Sequence, residues 1–345
     1  MLFNRILRRS VVALVAVVLA TLAWPGASAR PDTASLAGST VVGLHNAYTK
    51  ADFPYLAQAL DTGASMIELD AWDDIFTREW KVSHDKPTSN DNNCVDASSP
   101  SDIYTGSANK DLGSCLDDIK YWLAAHPSQG PIYVKVELKA GFQGNYGMGP
   151  AGFDADVNAH LGNVLYRPAD LLGSHATLDE AAKANAWPSR SALAGKVIMY
   201  VIPGTVELGN PTDKLHTDVE YATYLKNLKA SGNIQTATTF PAVLGALTGD
   251  PRAQYTDASI RPWFVAFDGD AATYVAGVDT SWYDTNHYLL TMTDAHNVPP
   301  ALDDTNPPVA DAKARVAQLA KAHATVASCD WYGLPSVMSQ VLPRG

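Results

Sequence analysis

Beyond its first thirty residues the chain alternates short apolar runs with longer segments whose apolar positions recur every three or four residues. Runs of strand length occupy residues 41–45, 66–71, 80–84, 132–138, 196–202, 263–268, 288–294 and 325–330. Helical spacing marks residues 53–60, 115–125, 154–165, 219–228 and 310–323. Eight strands separated by crossovers predict an α/β chain folded as a (β/α)8 TIM barrel. The crossover between the second and third runs is too short for a helix, so a distorted barrel is expected. The aperiodic stretches 85–113 and 203–216 and the glycine-rich 141–152 read as rim loops, suited to substrate contacts or a lid.

Seven of the eight runs end on, or within two positions of, an ionisable residue: His45, Asp70, His84, Glu137, Asp268, Asp294 and Asp330. A barrel gathers the C-terminal ends of its strands on one face, where catalytic loops lie. Polar residues also simply terminate apolar runs, which accounts for some of these. It accounts less well for two acids and two histidines on the first four runs.

Composition adds an address. Arg5, Arg8 and Arg9 precede an apolar run from Val11 to Ala23, and Ala27-Ser28-Ala29 offers small residues for cleavage. This is the pattern of a secretory signal peptide, and the run is too short to span a bilayer comfortably. Residues 1–29 are therefore expected to be removed, leaving 30–345 as a single catalytic domain, secreted and extracellular, with no transmembrane segment. The whole chain carries 25 basic and 36 acidic residues, a net charge of −11. Without the three leader arginines the balance is 22 against 36, or −14. Such a surface argues against nucleic acid as a partner and against electrostatic adhesion to anionic lipid. In an oxidising compartment Cys94 and Cys115 are expected to form a disulfide, and Cys329, in an apolar run, to be a buried free thiol.

Glu68 and Asp70 sit two apart on an expected strand, so their side chains point the same way. Two such carboxylates repel unless a cation or a proton intervenes. The plainer alternative leaves one exposed and pairs the other with a lysine. Asn46 and Glu137 add oxygen donors from other strand ends, and an all-oxygen set suits Ca2+ or Mg2+, of which Ca2+ is abundant outside cells. Lys135, on the same face as Glu137, would meet a phosphate oxygen or neutralise the cluster. His45 and His84 titrate near neutrality, so one can accept a proton while the other donates one. The reading of His296 stays open between a rim contact to substrate and no role. Imidazoles beside a hard cation suit phosphodiester chemistry. There is no phosphate-binding glycine loop, dinucleotide fingerprint or Gly-x-Ser-x-Gly elbow.

The order His45-Asn46, Ile67-Glu68-Leu69-Asp70-Ala71-Trp72, Val82-Ser83-His84 and Lys135-Val136-Glu137 resembles the X-region of phosphoinositide-specific phospholipase C, closest to its secreted, calcium-dependent bacterial branch. The resemblance implies a PLC-like phosphodiesterase barrel in which Asn46, Glu68, Asp70 and Glu137 bind Ca2+. His45 and His84 would flank the scissile phosphate as catalytic groups, with Lys135 contacting substrate. It implies cleavage of phosphatidylinositol, at a membrane or micelle interface, to diacylglycerol and a cyclic inositol phosphate, by a monomer. Glycerophosphodiester phosphodiesterases also join a strand-end histidine to Glu-x-Asp and His-Asp, as Glu68-Leu69-Asp70 and His84-Asp85 do here. Their first histidine is usually followed by arginine, where this chain has Asn46. A sphingomyelinase D-like enzyme, or a binding module on an inactive barrel, are further alternatives.

Overall fold

Residues 33–207 and 215–345 are described by the computed structural model; the expected leader, residues 1–29, lies outside them. Ten strands form one sheet: β1 (Ser39–Leu44), β2 (Met66–Asp74), β3 (Glu79–Val82), β4 (Ile132–Leu138), β5 (Val197–Pro203), β6 (Thr239–Leu244), β7 (Ala266–Asp270), β8 (Leu289–Thr293), β9 (Val326–Cys329) and β10 (Val341–Pro343). β1, β2 and β4 to β9 are parallel neighbours in a ring, which the β1–β2 and β1–β9 pairings close. β3 and β10 lie antiparallel on β2 and β1, outside the ring. The eight-stave barrel expected from the apolar runs is therefore present.

Its membership differs by one stave. The run 80–84 is not a barrel strand: β2 is nine residues long and folds back through a turn, with Arg78 at a φ of 61°, so that β3 returns beside it in register Ala71↔Val82. Trp80 makes that run apolar by packing edge-on against Phe142 and Phe153 outside the barrel. The missing stave is β6, where Pro241 and the flanking threonines interrupt the apolar pattern. Proline donates no ladder hydrogen bond and argues against a central strand on sequence alone, yet Pro241 is aligned with Val201 of β5.

Ring closure constrains β1. A Cβ at Gly43 would fall 2.5 Å from Met66 Cε and 2.9 Å from Val326 Cγ1, so any side chain there would require Met66 and Val326, from β2 and β9, to move. Outside the ring, the helix Leu112–Ala125 buries Leu112, Cys115, Leu116, Ile119, Trp122 and Leu123, a stripe at helical spacing. Cys115 on this helix is bonded to Cys94, with Cα atoms 4.9 Å apart, and Cys329 is buried and free, as expected. Among the described residues no helix is long and apolar enough to cross a membrane.

Candidate active site

Parallel closure brings the strand ends to one rim. β2 and β4 run in register with Glu68 opposite Lys135 and Asp70 opposite Glu137. Oxygens of Glu68, Asp70 and Glu137 lie within 4.8 Å of one another, all three side chains being buried. Each carboxylate is anchored through one oxygen. Glu68 Oε1 is 3.2 Å from Lys135 Nζ; Asp70 Oδ2 accepts from the Tyr48 hydroxyl at 2.9 Å and from Lys139 Nζ at 2.9 Å. Glu137 Oε1 accepts from the Thr205 N–H at 2.8 Å and from Lys139 at 3.2 Å. Glu68 Oε2 and Asp70 Oδ1 are buried with no partner.

A buried carboxylate oxygen without a partner is costly. Lys135 also lies 3.2 Å from Asp268 Oδ2. Four carboxylates (Glu68, Asp70, Glu137 and Asp268) thus face two ammoniums (Lys135 and Lys139), and full ionisation leaves two negative charges. Burial, and then the charges of Glu68 and Glu137, push Asp70 up to about 6 despite Lys139. The surplus, the orphaned oxygens and the all-oxygen chemistry fit a single hard dication.

His45 follows β1, and Asp330 follows the neighbouring β9, so ring closure pairs them: His45 Nδ1 is 3.1 Å from Asp330 Oδ2. Burial opposes the imidazolium, but the Asp330 hydrogen bond and the charges of Glu68 and Asp330 outweigh it and raise His45 to about 9. Asn46 follows at a φ of 47°, a left-handed conformation that Asn tolerates better than most residues. The β2–β3 hairpin delivers His84: Ser83 N–H donates to the Asp70 carbonyl at 3.1 Å and His84 N–H to Asp91 Oδ2 at 3.2 Å. The His84 ring is 56% exposed, with Nδ1 3.0 Å from Asp85 Oδ1.

Two cavities meet at His45 and Asp330. One of about 360 Å³ is lined by Glu68, Lys135, Glu137, Asp268 and Asp294. The other, about 300 Å³, is lined by Asn46, His84, Asp91 and Tyr332. The residues singled out from the sequence gather around His45: Glu68, Glu137 and Lys135 line the larger cavity, Asp70 clusters with those two acids, and Asn46 and His84 line the adjoining cavity. Lys135 lines the larger cavity, tied to two carboxylates, and His296 lines it too, with Nδ1 3.2 Å from Asp304. Sequence reading gave no role to Tyr48, Lys139 or Asp330. Lys139 was legible, since it follows Glu137 by two and shares its side of the chain. The Asp330 contact spans 285 residues and needs the closed ring.

Comparison with known proteins fixes the family. Residues 100–228 match the family described as phosphoinositide phospholipase C, Ca2+-dependent. The structure of a Ca2+-dependent phosphatidylinositol-specific phospholipase C from Streptomyces antibioticus is similar at 55% identity and a TM-score of 0.88, over 90% of this chain and 99% of that one. The chain belongs to the calcium-dependent phosphatidylinositol-specific phospholipase C family. A calcium-dependent phospholipase C of this kind from a Gram-negative Pseudomonas species shares the barrel, at 20% identity and a TM-score of 0.65 over 91% of this chain and 96% of that one. No curated protein matches. Membership in this phospholipase C family makes the chain an enzyme of the calcium-dependent kind, and the three clustered acids offer a place for that ion.

Proposed function

We propose that the protein cleaves phosphatidylinositol to diacylglycerol and a cyclic inositol phosphate, with Glu68, Asp70, Glu137 and Asn46 holding calcium. The observation that carries this reading is the acid cluster with its two orphaned buried oxygens, at a cavity that His45, paired with Asp330, also lines. Calcium bound there supplies neutralising charge for the phosphorane and acidity for a neighbouring hydroxyl.

The remaining chemistry belongs to side chains. The inositol hydroxyl next to the phosphate attacks phosphorus, and its proton passes to a carboxylate of the calcium cluster; of those three acids, Glu68 and Glu137 line the larger cavity. His45, held protonated by Asp330, donates to a phosphoryl oxygen and stabilises the charge that builds there. His84, across the smaller cavity, protonates the departing glycerol oxygen. Lys135 lines the larger cavity between Glu68 and Asp268, where its ammonium would contact the substrate.

In this reading residues 30–345 act as one secreted, monomeric catalytic domain after loss of the leader. Contact with the lipid surface falls to the exposed apolar side chains beyond the strand ends: Phe76 in the β2–β3 turn, Val206 after β5, and Leu244 and Leu247 at the end of β6. With a net negative charge, such a surface engages lipid by apolar insertion rather than by attraction. Phosphorus-31 NMR of phosphatidylinositol vesicles tests the chemistry. A cyclic inositol phosphate should form with calcium and none with chelator; release of phosphatidic acid, or of glycerophosphoinositol alone, would overturn the assignment.

A further inference from the structure

Lys139 stands apart from the rest of the polar machinery. Its ammonium is buried between Asp70 Oδ2 at 2.9 Å and Glu137 Oε1 at 3.2 Å, bridging two of the three clustered acids. It does not line the larger cavity, whereas Lys135 and Glu137 do. Its two oxygens are shared with fixed donors, the Tyr48 hydroxyl on Asp70 and the Thr205 N–H on Glu137. The unpartnered oxygens, Asp70 Oδ1 and Glu68 Oε2, are different atoms. On Asp70 an ammonium and a divalent ion therefore have separate oxygens to bind, so the ion need not displace Lys139 there.

We infer that Lys139 is a built-in counter-cation that sets how tightly this site takes calcium. The inference rests on the acid cluster being the calcium site. Without the metal, Lys139 offsets repulsion among carboxylates that would otherwise destabilise the empty site. With the metal, the same charge repels the ion across the two carboxylates they share. Both effects have one sign: Lys139 weakens calcium binding and stabilises the metal-free fold. Lys135 offers no equivalent adjustment, because Asp268 already compensates it.

The test is calcium titration by calorimetry of the full-length protein, the Lys139→Gln variant and the Lys139→Arg variant, each with a matching circular-dichroism spectrum in calcium. Lys139→Gln should bind calcium at least about tenfold more tightly, and Lys139→Arg near the original affinity, since removing one charge beside a dication is a large term even when screened. In chelator Lys139→Gln should melt below the parent, and added calcium should raise its melting temperature by more than it raises the parent's. Lys139→Met, which keeps the aliphatic stem, takes its place if the Gln chain does not fold. Unchanged or weaker calcium binding by a folded neutral variant overturns the inference while leaving the calcium site standing. Absence of calcium binding by the parent protein overturns both.

Discussion

The imidazole of His45 and the carboxylate of Asp330 meet across a closed ring, and in the proposed mechanism that pairing divides the work of the two histidines. Raised to about 9, His45 would act there through charge, leaving the proton transfer to the more exposed His84. His45→Ala and His84→Ala are each expected to lower kcat by about a hundredfold or more; a near-normal rate in either would remove that residue from the mechanism. Asp330→Asn removes the group that holds His45 protonated. It is expected to cost roughly tenfold in kcat and to lower the pH at which the His45 imidazole, followed by NMR, loses its proton. An unmoved His45 titration would show that Asp330 does not set its charge. Much of this scale was readable from spacing alone: Glu68 and Asp70 share a strand face by the two-residue period, and so do Lys135, Glu137 and Lys139. What spacing could not give is partnership across the ring, as in His45 with Asp330, or Lys135 with Asp268.

Secondary-structure elements were legible where apolar runs were uninterrupted, and misread where a turn or a proline intervened. β3 carries the apolar signature of a stave but turns back on β2, while β6 is a stave hidden by Pro241. The helix Leu112–Ala125 shows how an element is held. Its Cys115 closes a disulfide with Cys94, and its Asp118 Oδ2 accepts the Val95 N–H at 2.9 Å, while Oδ1 is buried and unpartnered. Cys94→Ser should destabilise the fold by about 3 kcal/mol, the loop-entropy scale for a bridge of this span, measured by denaturant unfolding; no loss would mean that the bridge is not formed in solution. Burial pushes Asp118 up to about 8, against the opposing Val95 hydrogen bond, from an ordinary value of 3.8. Between those values the folded protein keeps a proton that the unfolded chain has lost, so this group makes the fold less stable as pH rises from about 4 to about 8. Asp118→Asn, which can still accept from Val95, should melt higher than the parent by on the order of 2–4 °C at about pH 9, with the gain shrinking towards pH 5. A gain independent of pH would contradict the buried proton.

For the molecule as a whole, the count of apolar runs was enough to anticipate a barrel, and the barrel in turn explains why residues as distant as β1 and β9 form one site. The same geometry sets exposed apolar side chains beyond the strand ends, on the side where the site opens. Phe76, 94% exposed, is the most prominent. Phe76→Ser is expected to weaken binding to phosphatidylinositol vesicles by about tenfold or more in a sedimentation assay, since burying a phenyl group is worth roughly 1.5–3 kcal/mol. Hydrolysis of a short-chain substrate below its micelle concentration should stay close to normal, and an equal loss on both substrates would assign Phe76 to folding instead. The cation site remains the point on which the assembly depends. Calorimetric titration of the parent protein and of Asp70→Asn with calcium addresses it directly: one ion per chain is expected, with a Kd at least about tenfold weaker in the variant. A parent protein that binds no calcium, or a variant that binds it with unchanged affinity, would contradict the site.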